Sequence, residues 1–191
     1  MSSGTRIRTV VADTSALVSL AVPRALASAA GDLPDPLQVL LTSCDVAIPP
    51  TVATELETIA AYNDVHAAAA KNVRAADGHY EVVDPYDHED APDERPTLGL
   101  DDGETDGVVL ANALGVDGFL TDEFAGANFP LVHAALQGPR LVTTPRLVVD
   151  YARNGHLSPG DASDLITTIG THRGWAASPY VATLLAQLDD E

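Results

Sequence analysis

Short apolar runs rich in β-branched residues alternate along this chain with longer stretches of helical period. Residues 7–12 (IRTVVA) are a continuous run broken by Asp13, Thr14 and Ser15. That pattern predicts a buried strand feeding a helix to about residue 30, capped by Thr14 or Ser15 and kinked or divided at Pro23. Residues 31–36 read as a loop, 36–43 as a short helix, and 45–48 (DVAI) as a second strand stopped by Pro49 and Pro50. Helices are expected over 51–60 and, started by Asn63 or Asp64, over 62–76, and a third strand over 80–83. Residues 84–97 (DPYDHEDAPDERPT) carry too much proline and acid for either and read as a mobile, solvated surface loop. A helix over 103–114, capped by Asp101 or Asp102 and ended by Gly115, leads into a fourth strand over 117–121. A helix over 128–136 and a fifth strand over 140–142 follow. The chain closes with helices over 145–154, 158–170 and 179–188. Alternation of this kind predicts an α/β three-layer sandwich around a central, mainly parallel sheet of about five strands, with extra C-terminal helices.

Helical phase ranks the acids. On the 51–60 helix, Val52, Leu56 and Ile59 share one face; Glu55 sits at its edge and Glu57 points away. On the 103–114 helix, Val109, Leu110, Ala113 and Leu114 mark the buried arc. Asp106 falls within that arc and Glu104 mostly opposite it. Asp13 and Asp122 each end a predicted strand, and in parallel sheets sites form beyond the carboxyl ends of the strands.

Composition bounds the chemistry. The chain has 191 residues and 46% hydrophobic positions, enough for one domain, 1–191, with a real core. The net charge is -18, and Lys71 is the single lysine beside nine arginines. Taken naively, that balance repels nucleic acid. Scarce lysine, few aromatics and abundant Ala, Val and Asp also resemble the proteins of extreme halophiles, in which salt screens self-repulsion and net charge reports the solvent. A lone Cys44 excludes an internal disulfide and a cysteine metal cluster, and the six histidines show no H-E-x-x-H spacing. No stretch has the length and apolarity of a membrane span and MSSGTRIR is not a signal peptide, so a soluble, cytoplasmic protein is expected.

Asp13, Glu55, Asp106 and Asp122 form a candidate site. Converging carboxylates without bases repel one another, and a hard divalent cation such as Mg²⁺ or Mn²⁺ relieves this through oxygen ligands. One ion, or two about 4 Å apart, activates water and stabilises in-line displacement at a phosphodiester. Competing motifs are missing: the sequence has no G-x-S-x-G, P-loop or G-x-G-x-x-G. A phospho-aspartate phosphatase wants a second acid two residues after Asp13, where Ser15 stands. His88 among the acids of the 84–97 loop reads as solvated rather than as a metal ligand.

Four stretches in order resemble the PIN-domain ribonucleases, the group that includes VapC-like toxins. VVADTSALVSL is similar to the family's opening strand with D-[ST]-[SN]. IPPTVATEL is similar to its P-x-x-x-x-E-L helix, LDDGETDGVVLANALG to its G-E-x-[DE]-x-x-x-L-A segment, and GFLTDE to its T-[DN]-[DE] strand end. The tail LVTTPRLVVDYARNGHLSPGDASDLI is similar to a branch closed by further helices. The resemblance implies a Mg²⁺- or Mn²⁺-dependent endoribonuclease, as in the toxins of toxin–antitoxin pairs, with RNA as substrate, an antitoxin protein as partner and homodimers through its helices. Asp13, Glu55 and Asp106 match its core acids; Asp122 or Glu123 matches the fourth, with Asp122 favoured because it directly ends the strand. Thr14 or Ser15 would hold Asp13 or a metal-bound water, Thr121 would do so from the other strand, and Glu104 would support from behind. The positive charges that remain are chiefly Arg140, Arg146, Arg153 and Arg173 in the C-terminal part; Arg140, Arg146 and Arg153 are candidates for phosphate contact, with Arg146 and Arg153 on one helix face, and solvated arginines would look the same. A non-catalytic PIN-like module that binds RNA or protein is the alternative.

Overall fold

Residues 7–27, 34–125, 128–175 and 177–189 are described by the structure, a computed structural model. The predicted tail over 1–6 and the parts of the predicted first helix and loop over 28–33 lie outside those residues. One sheet runs through the molecule: β1 (Thr9–Ala12), β2 (Asp45–Ile48), β3 (Glu81–Val82), β4 (Gly118–Leu120) and β5 (Arg140–Val142), in the order β3-β2-β1-β4-β5. Every pairing is parallel, so the sheet expected to be mainly parallel is parallel throughout.

The helices are α1 (Thr14–Ala25), α2 (Pro36–Ser43), α3 (Pro50–Ala60), α4 (Val65–Arg74), α5 (Asp102–Leu114), α6 (Phe129–Ala135), α7 (Thr144–Arg153), α8 (Pro159–Arg173) and α9 (Pro179–Asp189). They cover both faces of the sheet. Val10, Ala12, Val46, Ile48, Leu120 and Val142 pack with residues of α1, α4, α7 and α8 in the larger core. Val11, Ala47 and Phe119 point the other way, onto Val108, Leu110 and Ala111 of α5 and Val132 of α6. With both faces covered, β1 reads as an unbroken apolar run rather than as an alternation. Fully buried side chains such as Leu17, Phe119 and Ile166 each contribute about 1.5–3 kcal/mol of burial. On the second face, α5 approaches β4 so closely that a Cβ added at Gly107 would lie 2.7 Å from the Phe119 ring.

Several element boundaries differ from expectation. Helix α1 ends at Ala25, not near residue 30, and Pro23 sits in its last turn without dividing it. Asp13 itself is its cap: its carboxylate accepts from the Ser15 and Ala16 amides, so neither Thr14 nor Ser15 serves. Helix α4 starts at Val65 rather than at 62, and of the two expected starters it is Asp64 that caps it, accepting from the Ala67 amide. Strand β3 shrinks to two exposed residues at the sheet edge. The 84–97 loop is anchored rather than simply solvated. A short 3₁₀ turn, Pro85–Asp87, sits within it, and Tyr86 and Arg95 both reach back to Asp106. No described helix is long and apolar enough to cross a membrane.

A net charge of -18 on this fold sets an expectation for salt. Raising KCl from about 0.1 M to about 1 M shortens the Debye length from about 10 Å to about 3 Å, so the melting temperature should rise over that range. Thermal denaturation followed by circular dichroism measures it; a flat or falling curve contradicts self-repulsion as a destabilising force in this protein.

Candidate functional site

The register of β1 and β4 creates the site. Ala12 pairs with Leu120, and the Asp13 amide donates to the Leu120 carbonyl at 2.9 Å. The next residues, Asp13 and Thr121, therefore face each other across the two strand ends, and the Thr121 hydroxyl donates to the Asp13 carboxylate at 2.6 Å. At this point the strand order also reverses, with β2 on one side of β1 and β4 on the other. Ligand crevices of open α/β sheets occur at such switch points.

A cleft of about 400 Å³ opens there, lined by Asp13, Thr14, Ser15, Glu55, Asp101, Gly103, Glu104, Glu123 and Arg173, with Ile59, Tyr62 and His66 among the other lining residues. Helix α3 delivers Glu55, whose carboxylate accepts from the Thr14 hydroxyl; Glu57 is exposed, as its helical phase dictates. The N-terminus of α5 closes the opposite wall. A Cβ at Gly103 would lie 2.5 Å from Glu55 Oε1, so only glycine lets the helix approach that carboxylate without displacing it. Asp101 caps α5 through the Glu104 amide at 2.8 Å, and Glu104 Oε2 returns to the Asp101 amide at 3.4 Å, a reciprocal capping box. Glu104 Oε2 also accepts from the Asn128 side-chain amide at 3.0 Å, whereas Glu104 Oε1 is buried and has no hydrogen-bond partner among the described residues.

Of the sequence-derived residues, Asp13, Glu55, Glu104 and Glu123 line the cleft together with Thr14 and Ser15; Asp106 and Asp122 do not. Asp106 faces the other side of α5, where both its oxygens meet Arg95, Nε at 2.8 Å and Nη2 at 2.7 Å, and Oδ1 also accepts from the Tyr86 hydroxyl at 2.6 Å. Asp122 turns toward α7: its carboxylate accepts from the Thr144 amide at 2.7 Å, at the start of that helix, and its own amide donates to Ser15 Oγ at 2.9 Å. The helical-phase reading of Glu104 is corrected. Its exposure is 4%, against 3% for Asp106, because both sides of the first turn of α5 are covered. Thr14 holds Glu55 rather than Asp13, while the Ser15 amide and Thr121 hold Asp13. Arg146 pairs with Asp150 at 3.0 Å and Arg153 donates to Gln187 at 3.2 Å; neither these two nor Arg140, on β5, lines the cleft. Tyr86 and Arg95 escape the sequence reading altogether, and the pattern carries no signal for them beyond one arginine in a run of acids.

Burial and mutual repulsion hold the cleft acids toward their protonated forms. Burial raises Asp13 against the pull of Thr121 and Ser15. It raises Glu55 against Thr14, with Asp101 and Asp13 adding to the rise. Glu104 is pushed from 4.5 to about 7, first by burial and then by the Asp101 charge. Glu123 rises through burial and the charge of Asp13, against the opposing field of Arg173. Asp106 behaves oppositely: Arg95 and Tyr86 outweigh its burial and hold it below the ordinary value.

The donor set suits a hard divalent cation by its chemistry: carboxylate oxygens, one of them buried and unpartnered. Among the described residues, however, no three His, Cys, Asp or Glu side chains converge tightly enough to hold an ion as they stand. Thr14, Thr121 and Asn128 each draw one carboxylate to its own donor, so gathering them requires side-chain rotation. Compared with family models, curated proteins and solved structures, the chain matches none.

These shifts set the pH dependence of stability. In the folded state Glu104, raised to about 7, and Asp122, raised to about 6, keep protons that the unfolded chain releases near 4.5 and 3.8. Their contribution to stability is therefore complete below those ordinary values and is lost as pH rises through about 7. In chelator the melting temperature should fall from pH 4.5 to pH 7. Added Mn²⁺ should restore more of it at pH 7 than at pH 5, because ligands must shed protons to bind. Melting curves with and without Mn²⁺ check both signs; equal restoration at the two pH values counts against cation binding by these acids.

Proposed function

We propose that this protein is a Mg²⁺- or Mn²⁺-dependent endoribonuclease of PIN-like type that hydrolyses RNA phosphodiester bonds in the cytoplasm, its acidic surface suited to high salt. The observation that carries this reading is the buried Glu104 Oε1, unpartnered among the described residues, on a residue that lines a switch-point cleft with Asp13, Glu55 and Glu123. Leaving a buried carboxylate oxygen unsatisfied costs about 1–3 kcal/mol or more, a cost that a cation ligand would remove. The four-motif resemblance to PIN-domain ribonucleases supports the same reading, as does the parallel sheet that it implies.

Asp13, Glu55, Glu104 and Glu123 would hold the ion. What it supplies when bound is acidified water and charge neutralisation at the phosphate. The chain's own part is orientation. Thr121 and the Ser15 amide aim Asp13, Thr14 aims Glu55, and Asn128 steadies one oxygen of Glu104 while leaving the other free. Tyr62, 64% exposed on the cleft wall, offers a face on which an unpaired base can stack. In this reading Asp106 ties down the 84–97 loop and Asp122 serves the start of α7.

The test is incubation of purified protein with RNA at high salt, with Mn²⁺, Mg²⁺ or chelator. Cleavage that needs the cation supports the reading; its absence under all three conditions rejects it. A non-catalytic RNA- or protein-binding module is favoured by one observation, the spread of the carboxylates beyond ion-holding distance. Calorimetric titration with Mn²⁺ separates the two, since such a module takes up no ion. A toxin role adds an antitoxin partner, and it is tested by growth arrest on expression and by its relief with the product of a neighbouring small gene.

A further inference from the structure

We propose that Arg173 is the phosphate-holding residue of the cleft, receiving a phosphodiester of single-stranded RNA beside the carboxylate group; the inference rests on the nuclease reading. Arg173 ends α8 and lines the cleft with Asp13, Ser15, Glu104 and Glu123. It stands within the field of Asp122 and Glu123, yet among the described residues it forms no ion pair, and its Nε is buried with no hydrogen-bond partner. With no carboxylate claiming it among the described residues, the guanidinium is available in this acidic cleft to a ligand with paired oxygens, and the fork of Arg matches phosphate in that way.

The placement is built rather than incidental. One residue before it, the His172 carbonyl lies 3.2 Å from His66 Nε2, which ties the end of α8 to α4. One residue after it, Gly174 takes the left-handed conformation at φ 73° and turns the chain back into the core. There Trp175 packs on Phe124, the residue following Glu123, with ring centroids 5.3 Å apart. Arg173 is thus held between two fixed neighbours and against the strand end that carries Glu123. Two arginines outside the cleft are paired instead: Arg95 binds Asp106 and Asp102, and Arg146 binds Asp150.

The experiment measures binding of a fluorescein-labelled oligouridylate by anisotropy in Ca²⁺ over a KCl series, with Mn²⁺ calorimetry on the same proteins. Arg173→Ala should bind the oligonucleotide about tenfold more weakly and lower the salt slope by about 0.7, the value for one lost contact on a single strand. Its Mn²⁺ uptake should be retained. Arg173→Lys should keep the slope while losing part of the affinity, since it preserves the charge without the fork. Arg24→Ala, a surface arginine paired with Asp35, should behave as wild type. If Arg173→Ala, or Arg173→Gln should the alanine variant fail to fold, binds RNA with wild-type affinity and slope while taking up Mn²⁺, the inference is overturned and the nuclease reading stands. If the wild-type protein takes up neither Mn²⁺ nor oligonucleotide, the nuclease reading falls and the inference falls with it.

Discussion

Glu104→Gln should lower the rate of Mn²⁺-dependent RNA cleavage roughly a thousandfold, several kcal/mol of transition-state stabilisation at 1.36 kcal/mol per factor of ten. Glutamine keeps the volume and can still accept from Asn128, but it removes the negative charge of a carboxyl that lines the cleft and whose Oε1 is buried with no partner among the described residues. The same substitution should raise the melting temperature of the cation-free protein at pH 7, because it deletes a carboxyl that burial and Asp101 drive up to about 7. It should also flatten the fall in stability between pH 4.5 and pH 7. Loss of activity with gain of stability is the signature of a functional acid rather than a structural one. Single-turnover cleavage at saturating Mn²⁺, paired with melting curves in chelator, reads both. Asp106→Asn is the decisive companion. If it abolishes cleavage in a folded protein while Glu104→Gln retains activity, then Asp106 is the functional acid of α5 and Glu104 the structural one.

Arg95→Ala should destabilise the fold by about 3 kcal/mol, the lower end of the cost of stripping the partner from a buried charge. The lower end applies because Arg95 is itself 38% exposed and because Tyr86 still donates to Asp106. For a domain of this size that is a fall in melting temperature of roughly 6–12 °C. The sign with pH is fixed. Arg95 and Tyr86 hold Asp106 below its ordinary value of 3.8, so the stabilisation is complete above that value and is lost as pH falls through the depressed one. The gap between wild type and variant should therefore be wide at neutral pH and narrow in strong acid. Arg95 reaches Asp106 from the 84–97 loop, so the variant should also expose that loop to limited proteolysis. An unchanged melting temperature would mean that the forked ion pair adds nothing beyond what Tyr86 and water supply.

Glu104 and Arg95 show where a pattern in one dimension runs out. On α3, Glu55 sat at the edge of a single apolar stripe, and the structure places it in the cleft with Glu57 exposed. Phase worked there because only one face of α3 is covered. On α5 it failed. Residues 103–111 are buried, with the sheet behind them, α3 across from them and the 84–97 loop beside them. When every face is covered, a 3.6-residue period carries no direction, and Glu104 and Asp106 become indistinguishable. The same holds at the end of β4, where Asp122 was favoured for directly ending the strand. Which of two successive acids enters the cleft depends on where α7 begins, and the Thr144 amide claims Asp122. Arg95 lay in a segment whose composition describes a solvated loop, and nothing local shows that it folds back on a helix seven residues away.

By itself the sequence determined the alternation of strands and helices, the parallel sheet with both faces covered, and the position of Asp13 at a carboxyl end. These follow from backbone geometry and from the burial of short apolar runs, which are properties of neighbouring residues. Only the tertiary structure decided which acids share the cleft, that Asp106 is neutralised by Arg95, and that Arg173 arrives beside Glu123 from the far end of α8. Those outcomes depend on distances between segments up to about a hundred and sixty residues apart in sequence. The Coulomb and hydrogen-bond energies that rank such contacts fall steeply with separation in space, which no period along the chain encodes.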